Sequence, residues 1–379
     1  MSRKVIHIII GLNTGGAERA LYNILQGGLA ERYRSVVISL TDEGRYGPML
    51  KKLGVEVFTL NMKRGIPSIS ALLKLRSILK KHHPAFIQGW MYHGNLIASL
   101  ASLLLVKRVP VVWNVRHCLY DLSAEKRLTQ WVIKLCIRLS QKAVIITYNS
   151  LLSRTQHEHL GFNSAIGLVI PNGFPLKRFK FSEKFRDNIR PSLKVYDKAI
   201  VVGHVGRYHP MKDHETFLRA AVEVAQHISC VVFLLLGTDV EYSNPELAAL
   251  IPIGLRSRFL LIGEISDVEK YYSAMDVFCL SSSSEAFPNV LGEAMACGLP
   301  CVTTDVGDAS YIVGETGIVV PPENPTALAA AVFEILDKTE YELAELKRTA
   351  RERIKENFSL TSVVKCYASL YEDIQIDSN

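Results

Sequence analysis

Residues Ser281–Pro300 read SSSSEAFPNVLGEAMACGLP. An apolar run, Val277–Leu280, comes just before them. Two carboxylates, Glu285 and Glu293, stand with seven residues between them. Ala286, Phe287 and Pro288 read as a turn, and the apolar-periodic residues that follow read as the start of a helix. The order is strand, polar loop, helix N-terminus. Free N–H groups and a partial positive charge at such a terminus make it a seat for phosphate. One acid lies on the loop before that seat and the other in the first helical turns. The pattern suits a ligand with hydroxyls on both sides of a diphosphate, that is, a nucleotide-sugar.

Outward from this block, short β-rich runs alternate with amphipathic segments. Upstream the expected strands are Val5–Gly11, Ser35–Leu40, Val55–Leu60, Ala85–Gln88, Val109–Val115, Ala143–Thr147 and Leu168–Ile170. A second series runs through Ala199–Val205, Cys230–Leu236, Phe259–Ile262, Val277–Leu280, Cys301–Thr303 and Gly317–Val320. Such alternation predicts an α/β protein with doubly wound, mostly parallel sheets. At 379 residues the chain suits two domains, each with its own core. Residues 174–196 are polar without a clean period and read as a linker. The expected division is a Rossmann-like domain at 1–175, a linker at 176–196, a second Rossmann-like domain at 197–357 and a tail at 358–379. From Tyr341 the chain reads as two helices broken near Phe358–Leu360.

The net charge of +7 conceals an asymmetry. Residues 1–180 carry 26 Lys and Arg against 8 Asp and Glu; the remainder carries 18 against 29. A basic first half suggests an anionic partner. No nucleic-acid recognition motif is present, and peripheral contact with an anionic membrane surface or a phosphorylated lipid acceptor fits better. No apolar run is long enough to span a bilayer. MSRKVIHIII reads as a first strand rather than a signal peptide. The seven cysteines form no C-x-x-C pair and are expected to be reduced core residues of a cytoplasmic protein, Cys118 being the possible exception beside His117.

Gly15-Gly16-Ala17-Glu18-Arg19 follows the first strand and opens a helix, where glycine lets a backbone approach a ligand closely. In Gly206-Arg207-Tyr208-His209-Pro210-Met211-Lys212-Asp213, Arg207 ends a strand and Lys212 starts a helix. Two cations there can clamp a diphosphate that gains charge as its bond to sugar breaks. His117, at the end of the Val109–Val115 strand, is placed to bind a hydroxyl or to take a proton; His93 is a weaker case. His82, His83, His157, His159 and His227 sit on polar segments and are expected to face solvent. Ala124–Lys142 has a Leu/Trp/Ile face and a Lys/Arg face, which suits either packing on the sheet or a membrane interface. No metal-ligand cluster appears, so neither metal nor cofactor is expected.

These residues resemble the retaining glycosyltransferases of family 4, which have the GT-B fold. GGAER, HVGRYHPMKD (His204–Asp213), IPNGF (Ile170–Phe174), LLLGTD (Leu234–Asp239), the E-x7-E pair and CVTTDVGDASYIVGETGIVVPP (Cys301–Pro322) carry the resemblance over nearly the whole chain. It implies two Rossmann-like domains with parallel sheets facing a central cleft, and a final helix returning to the N-terminal domain. It implies that Glu285 contacts the donor sugar and Glu293 the ribose. Arg207 and Lys212 would hold the diphosphate, with backbone N–H groups around Asn289, Val290 and Leu291. Gly15 and Gly16 would let the first domain close on the phosphates, and His117 would be the family's cleft histidine. Ala286, where glycine is frequent, requires a negative φ, and Thr147-Tyr148-Asn149-Ser150 departs from the usual serine-led segment. The expected activity is transfer of a sugar from a UDP- or GDP-linked donor to a glycan or lipid-linked acceptor, with retention, in cell-envelope polysaccharide or glycolipid synthesis at the inner face of the cytoplasmic membrane. The alternative is an inert GT-B subunit that binds a partner glycosyltransferase or a lipid.

Overall fold

The computed structural model describes residues 3–13, 15–62, 69–103, 105, 107–196 and 198–374. The chain divides into two compact units, residues 1–173 with 360–379, and residues 174–359.

The first unit is built on seven parallel strands: β1 (Lys4–Ile9), β2 (Arg34–Ser39), β3 (Glu56–Thr59), β4 (Phe86–Trp90), β5 (Val111–Val115), β6 (Ile145–Tyr148) and β7 (Gly167–Val169). Their order is β3-β2-β1-β4-β5-β6-β7. The central strands β4 and β5 are buried at every position, so they read as unbroken runs rather than alternations. Helices Ile69–His82, Met91–Leu103 and Arg127–Leu139 cover one face, with Leu75, Ile97 and Ile133 in a shared core. Helices Gly16–Ile24 and Leu360–Asp373 cover the other. The last helix is tied in by polar contacts as well as packing. Asn114 Nδ2 donates to Tyr367 Oη at 2.7 Å, Tyr33 Oη donates to the Ala368 carbonyl at 3.1 Å, and Tyr371 Oη donates to Gln88 Oε1. The order reverses between β1 and β4, so the loops after them diverge at the carboxyl ends of the strands.

The second unit has six parallel strands: β8 (Ile200–Val205), β9 (Val231–Leu236), β10 (Phe259–Leu261), β11 (Val277–Leu280), β12 (Cys301–Thr304) and β13 (Ile318–Val320). Their order is β10-β9-β8-β11-β12-β13, with the reversal between β8 and β11.

The segment read as a linker is instead part of this unit. Phe174 and Phe179 are core residues, and Glu183–Ser192 is a helix. The helix is polar in sequence yet packed, because two of its charges, Arg186 and Arg190, turn inward while Glu183, Lys184 and Asp187 stay exposed. Arg190, buried, lies 2.5 Å from Asp276 Oδ2, and Arg186 lies 2.7 Å from Asp276 Oδ1. Arg190 also donates to the carbonyls of Ala274 and Ala199, which fixes the entries to β8 and β11.

Two histidines expected at the surface are buried as well. His82 packs edge-on against Phe58. His157 has Nε2 2.7 Å from Tyr92 Oη and Nδ1 2.7 Å from the Ser153 carbonyl, which satisfies both ring nitrogens. Five cysteines are buried, Cys230 is half-buried and Cys366 is exposed; none is in a disulfide.

Burial pushes His7 down to about 3, and His157 and His214 down to about 4. The unfolded chain binds protons at these positions near the ordinary value of 6.5, whereas the folded chain binds them only at lower pH. Stability is therefore complete above the unfolded value and is lost as pH falls through the window between 6.5 and about 4. The melting temperature should fall between pH 6.5 and 5. His157→Gln should flatten that slope by up to about 1.4 kcal/mol per pH unit, and His159→Gln, at an exposed position, should not change it. Equal slopes in all three proteins contradict the assignment.

Candidate active site

In the second unit, the loop after β8 and the loop after β11 emerge side by side at the reversal in strand order. Two close backbone approaches shape them. A Cβ on Gly237 would stand 2.0 Å from the Gly206 carbonyl oxygen. Gly307, at φ +56°, lies under the Glu285 and Ala286 carbonyls, where a Cβ would meet oxygen at 2.4 and 2.7 Å. Asp308 N–H donates to the Ala286 carbonyl at 3.0 Å. Ala286 is not among the residues of positive φ.

The β8 loop makes one 3₁₀ turn, Pro210–Lys212, and passes through Asp213 in the left-handed region (φ 45°). Asp213 caps the helix His214–His227 by accepting from Thr216 N–H at 3.1 Å. The two loops are laced together. Ser283 N–H donates to the Met211 carbonyl at 3.0 Å, and Ser281 Oγ lies 3.0 and 2.9 Å from the carbonyls of Lys212 and Asp213. Two buried histidines back the turn. His214 Nε2 lies 3.2 Å from the Gly206 carbonyl, and His204 packs against His214 at 4.8 Å between ring centres.

This lacing brings Lys212 and Glu285 into an ion pair, with side chains 22% and 12% exposed. Ser282 Oγ donates to the same Glu285 oxygen at 2.9 Å. Arg207 is exposed beside the turn and has no ion pair among the described residues. The helix Asn289–Ala296 begins immediately after the Glu285 loop, with Pro288 at its N-cap and no side-chain cap. The first N–H groups of a helix have no acceptor within it, but Leu291 N–H already donates to the Pro288 carbonyl at 3.2 Å. Leu291 itself is a core side chain. Asn289, Val290 and Leu291, the three backbone positions expected at the phosphate, form this first turn. Glu293 is buried and accepts from Tyr272 Oη at 3.2 Å. Gly292 leaves room for the Phe174 ring, whose nearest atom stands 2.2 Å from where a Cβ would be.

In the first unit the candidates lie at the carboxyl ends of β1 and β5. Gly15 is the N-cap of helix Gly16–Ile24, and a Cβ there would stand 2.2 Å from the Glu18 carboxylate; Gly16 faces open space. Burial raises the Glu18 carboxyl above the usual glutamate range. His117 Nε2 lies 2.9 Å from Glu125 Oε1, and its side chain is 43% exposed. Glu125 is itself held, since Gln130 Nε2 donates to its carbonyl at 2.7 Å. His93 is half-buried, and burial lowers its pKa. Arg116 joins Asn114, Asn172 and Tyr367 through hydrogen bonds and lies over the Trp90 ring at 5.8 Å.

The sequence reading missed Ser282, Tyr272 and Glu125. The first two have no motif of their own and are recognisable only through the carboxylates that they touch. Glu125 had a signal in being one of only two acids between residues 57 and 157. Among the described residues, no group of three or more His, Cys, Asp or Glu is placed to hold a metal ion.

Residues 14–178 match the family model of Glycosyltransferase Family 4, and residues 199–338 match that of Glycosyl transferases group 1. The chain is similar to CapM, a capsular polysaccharide biosynthesis glycosyltransferase of Staphylococcus aureus, at 26% identity over 346 residues covering 86% of this chain and 87% of the relative. It is also similar to the UDP-Gal:alpha-D-GlcNAc-diphosphoundecaprenol alpha-1,3-galactosyltransferase of Escherichia coli, at 25% identity covering 82% and 81% of the two chains. The crystal structure of HepE from Anabaena in complex with UDP shares the fold, with a TM-score of 0.84 at 24% identity, covering 98% of this chain and all of that one. With a family 4 domain in its first half, a group 1 domain in its second and a parallel α/β sheet in each, the chain belongs to the GT-B glycosyltransferases.

Proposed function

We propose that the chain transfers a sugar from a UDP-linked donor to a glycan or lipid-linked acceptor of the cell envelope, with retention at the anomeric carbon. The observation that carries this reading is the Lys212–Glu285 pair, set between exposed Arg207 and the start of helix Asn289–Ala296. The E. coli relative uses UDP-galactose and a diphosphoundecaprenol-linked acceptor, HepE binds UDP, and CapM belongs to capsule synthesis. These relatives support the donor, the acceptor class and the pathway. The basic first half supports work at the inner face of the cytoplasmic membrane, in peripheral contact with anionic lipid.

The chemistry follows from charge. As the bond between the anomeric carbon and the phosphate oxygen breaks, negative charge grows on the diphosphate. Lys212, Arg207 and the N–H groups around Asn289, Val290 and Leu291 are assigned to meet it. The acceptor oxygen bonds to the carbon from the face that the phosphate leaves, and its proton passes to the departing phosphate. Glu285 orients the sugar hydroxyls, and Glu293, steadied by Tyr272, takes the ribose. On the first unit, His117 with Glu125 behind it is assigned to the acceptor hydroxyl.

Glu285 is paired with the cation assigned to the diphosphate. The two partners should therefore respond oppositely to substitution. Lys212→Met should weaken UDP binding by about 10- to 100-fold. Glu285→Gln should bind UDP as tightly as wild type or tighter, yet lower kcat by about 100-fold or more. Calorimetry with UDP and steady-state assays with UDP-sugars on membrane extract check both. Weaker UDP binding in Glu285→Gln contradicts the assignment, and a product whose anomeric proton reports inversion contradicts retention.

Glu125→Gln should lower kcat about 10-fold by loosening His117, with UDP affinity and melting temperature unchanged. Full activity in that variant removes the pair from the mechanism.

A further inference from the structure

A cavity of about 890 Å³ opens in the first unit at the amino ends of β4 and β5, on the edge of the sheet opposite to Gly15 and His117. Leu79, Leu103 and Leu139 line it, and Lys80, Arg108 and Lys142 stand among its walls. The leucines come from the last turns of helices Ile69–His82, Met91–Leu103 and Arg127–Leu139, which cover one face of the sheet.

None of these three helices contains an Asp or Glu. Residues 57–157 hold fifteen Lys and Arg against two acids. Cations at helix C-termini are a common complement to the helix dipole. Here, however, Lys74, Arg76, Arg127 and Lys134 stand away from the last turns.

The apolar surface is also organised. On helix Arg127–Leu139, Val132, Ile133 and Cys136 are buried on the sheet side. Leu128, Trp131 and Leu135 are exposed, Trp131 at 68%. Their spacing of three and four residues makes one stripe along the outer face, and the stripe runs toward Leu139 in the cavity wall. Leu100 and Leu103 are exposed on the neighbouring helix. A tryptophan flanked by leucines and cations is the composition of a helix lying in a lipid interface.

We infer that this three-helix face docks on an anionic bilayer, with Leu128, Trp131 and Leu135 in the interface and the glycerol-phosphate end of an anionic phospholipid in the cavity. Lys80, Arg108 and Lys142 take the phosphate, and the leucines take the apolar part. The inference deepens the membrane contact proposed above and rests on it. A second copy bringing its acidic half to this face is the competing occupant.

The test is co-sedimentation with vesicles of phosphatidylcholine, alone or with one-third phosphatidylglycerol. It is paired with melting curves in dihexanoyl-phosphatidylglycerol below its micelle concentration. Wild type should partition onto the anionic vesicles, and the short lipid should raise its melting temperature. Trp131→Ser should reduce partition about tenfold or more. Arg108→Glu with Lys142→Glu should do the same and abolish the lipid-induced shift. Arg32→Glu with Lys52→Glu, the same charge change at exposed positions outside the three-helix face, should reduce partition less than about threefold. No partition of wild type onto either vesicle overturns the membrane contact itself. Partition that all variants share equally leaves that contact standing and overturns this face as its site. Loss of partition without any lipid-induced shift in wild type overturns the cavity. A dimer that Trp131→Ser dissociates, with no vesicle binding, assigns the face to a second copy instead.

Discussion

Lys212 and Glu285 come from loops 73 residues apart and meet with most of their surface out of water. An exposed ion pair contributes little, whereas a largely buried one such as this must offset the desolvation of both charges. The surrounding structure is arranged to hold it. Ser281 and Ser283 lace the two loops, Gly237 and Gly307 let their backbones approach, and His214 holds the Gly206 carbonyl from behind. Backbone strain and buried polar groups occur at this turn. Asp213 is left-handed, and among the described residues no hydrogen-bond partner meets one of its carboxylate oxygens or one ring nitrogen in each of His204 and His214. Such a collection suits a site that is organised before its ligand arrives.

Under the proposed function, the pair would let one site serve two parts of a donor. The lysine and the glutamate compensate each other's charge. A diphosphate and a sugar can each replace one partner, so both charges remain compensated when the donor enters. The cost of desolvating them is met during folding rather than during binding. A site lined only by cations would attract any polyanion, whereas the glutamate adds a requirement for hydroxyls.

Much of this was legible in the sequence, and the exceptions have physical causes. All thirteen strands fall on the apolar runs, because a parallel sheet covered on both faces needs continuous β-branched and apolar residues. Glu285, Arg207 and Lys212 stood out because their loops follow strand ends, and Glu293 because it lies in the helix that follows the Glu285 loop. Residues 174–196 failed because polarity was equated with exposure, while Arg190 carries its charge into the core to meet Asp276. His157 failed for the same reason, its burial being made possible by Tyr92, 65 residues away. Glu125, Ser282 and Tyr272 act through a partner that only the fold brings near.

A crystal structure of the protein with UDP tests the central claim most directly. The β-phosphate oxygens should lie within hydrogen-bond distance of Lys212 Nζ and in front of the Asn289–Ala296 helix, with the Lys212–Glu285 contact opened. UDP phosphates seated elsewhere in the second unit, with that contact intact, would contradict it.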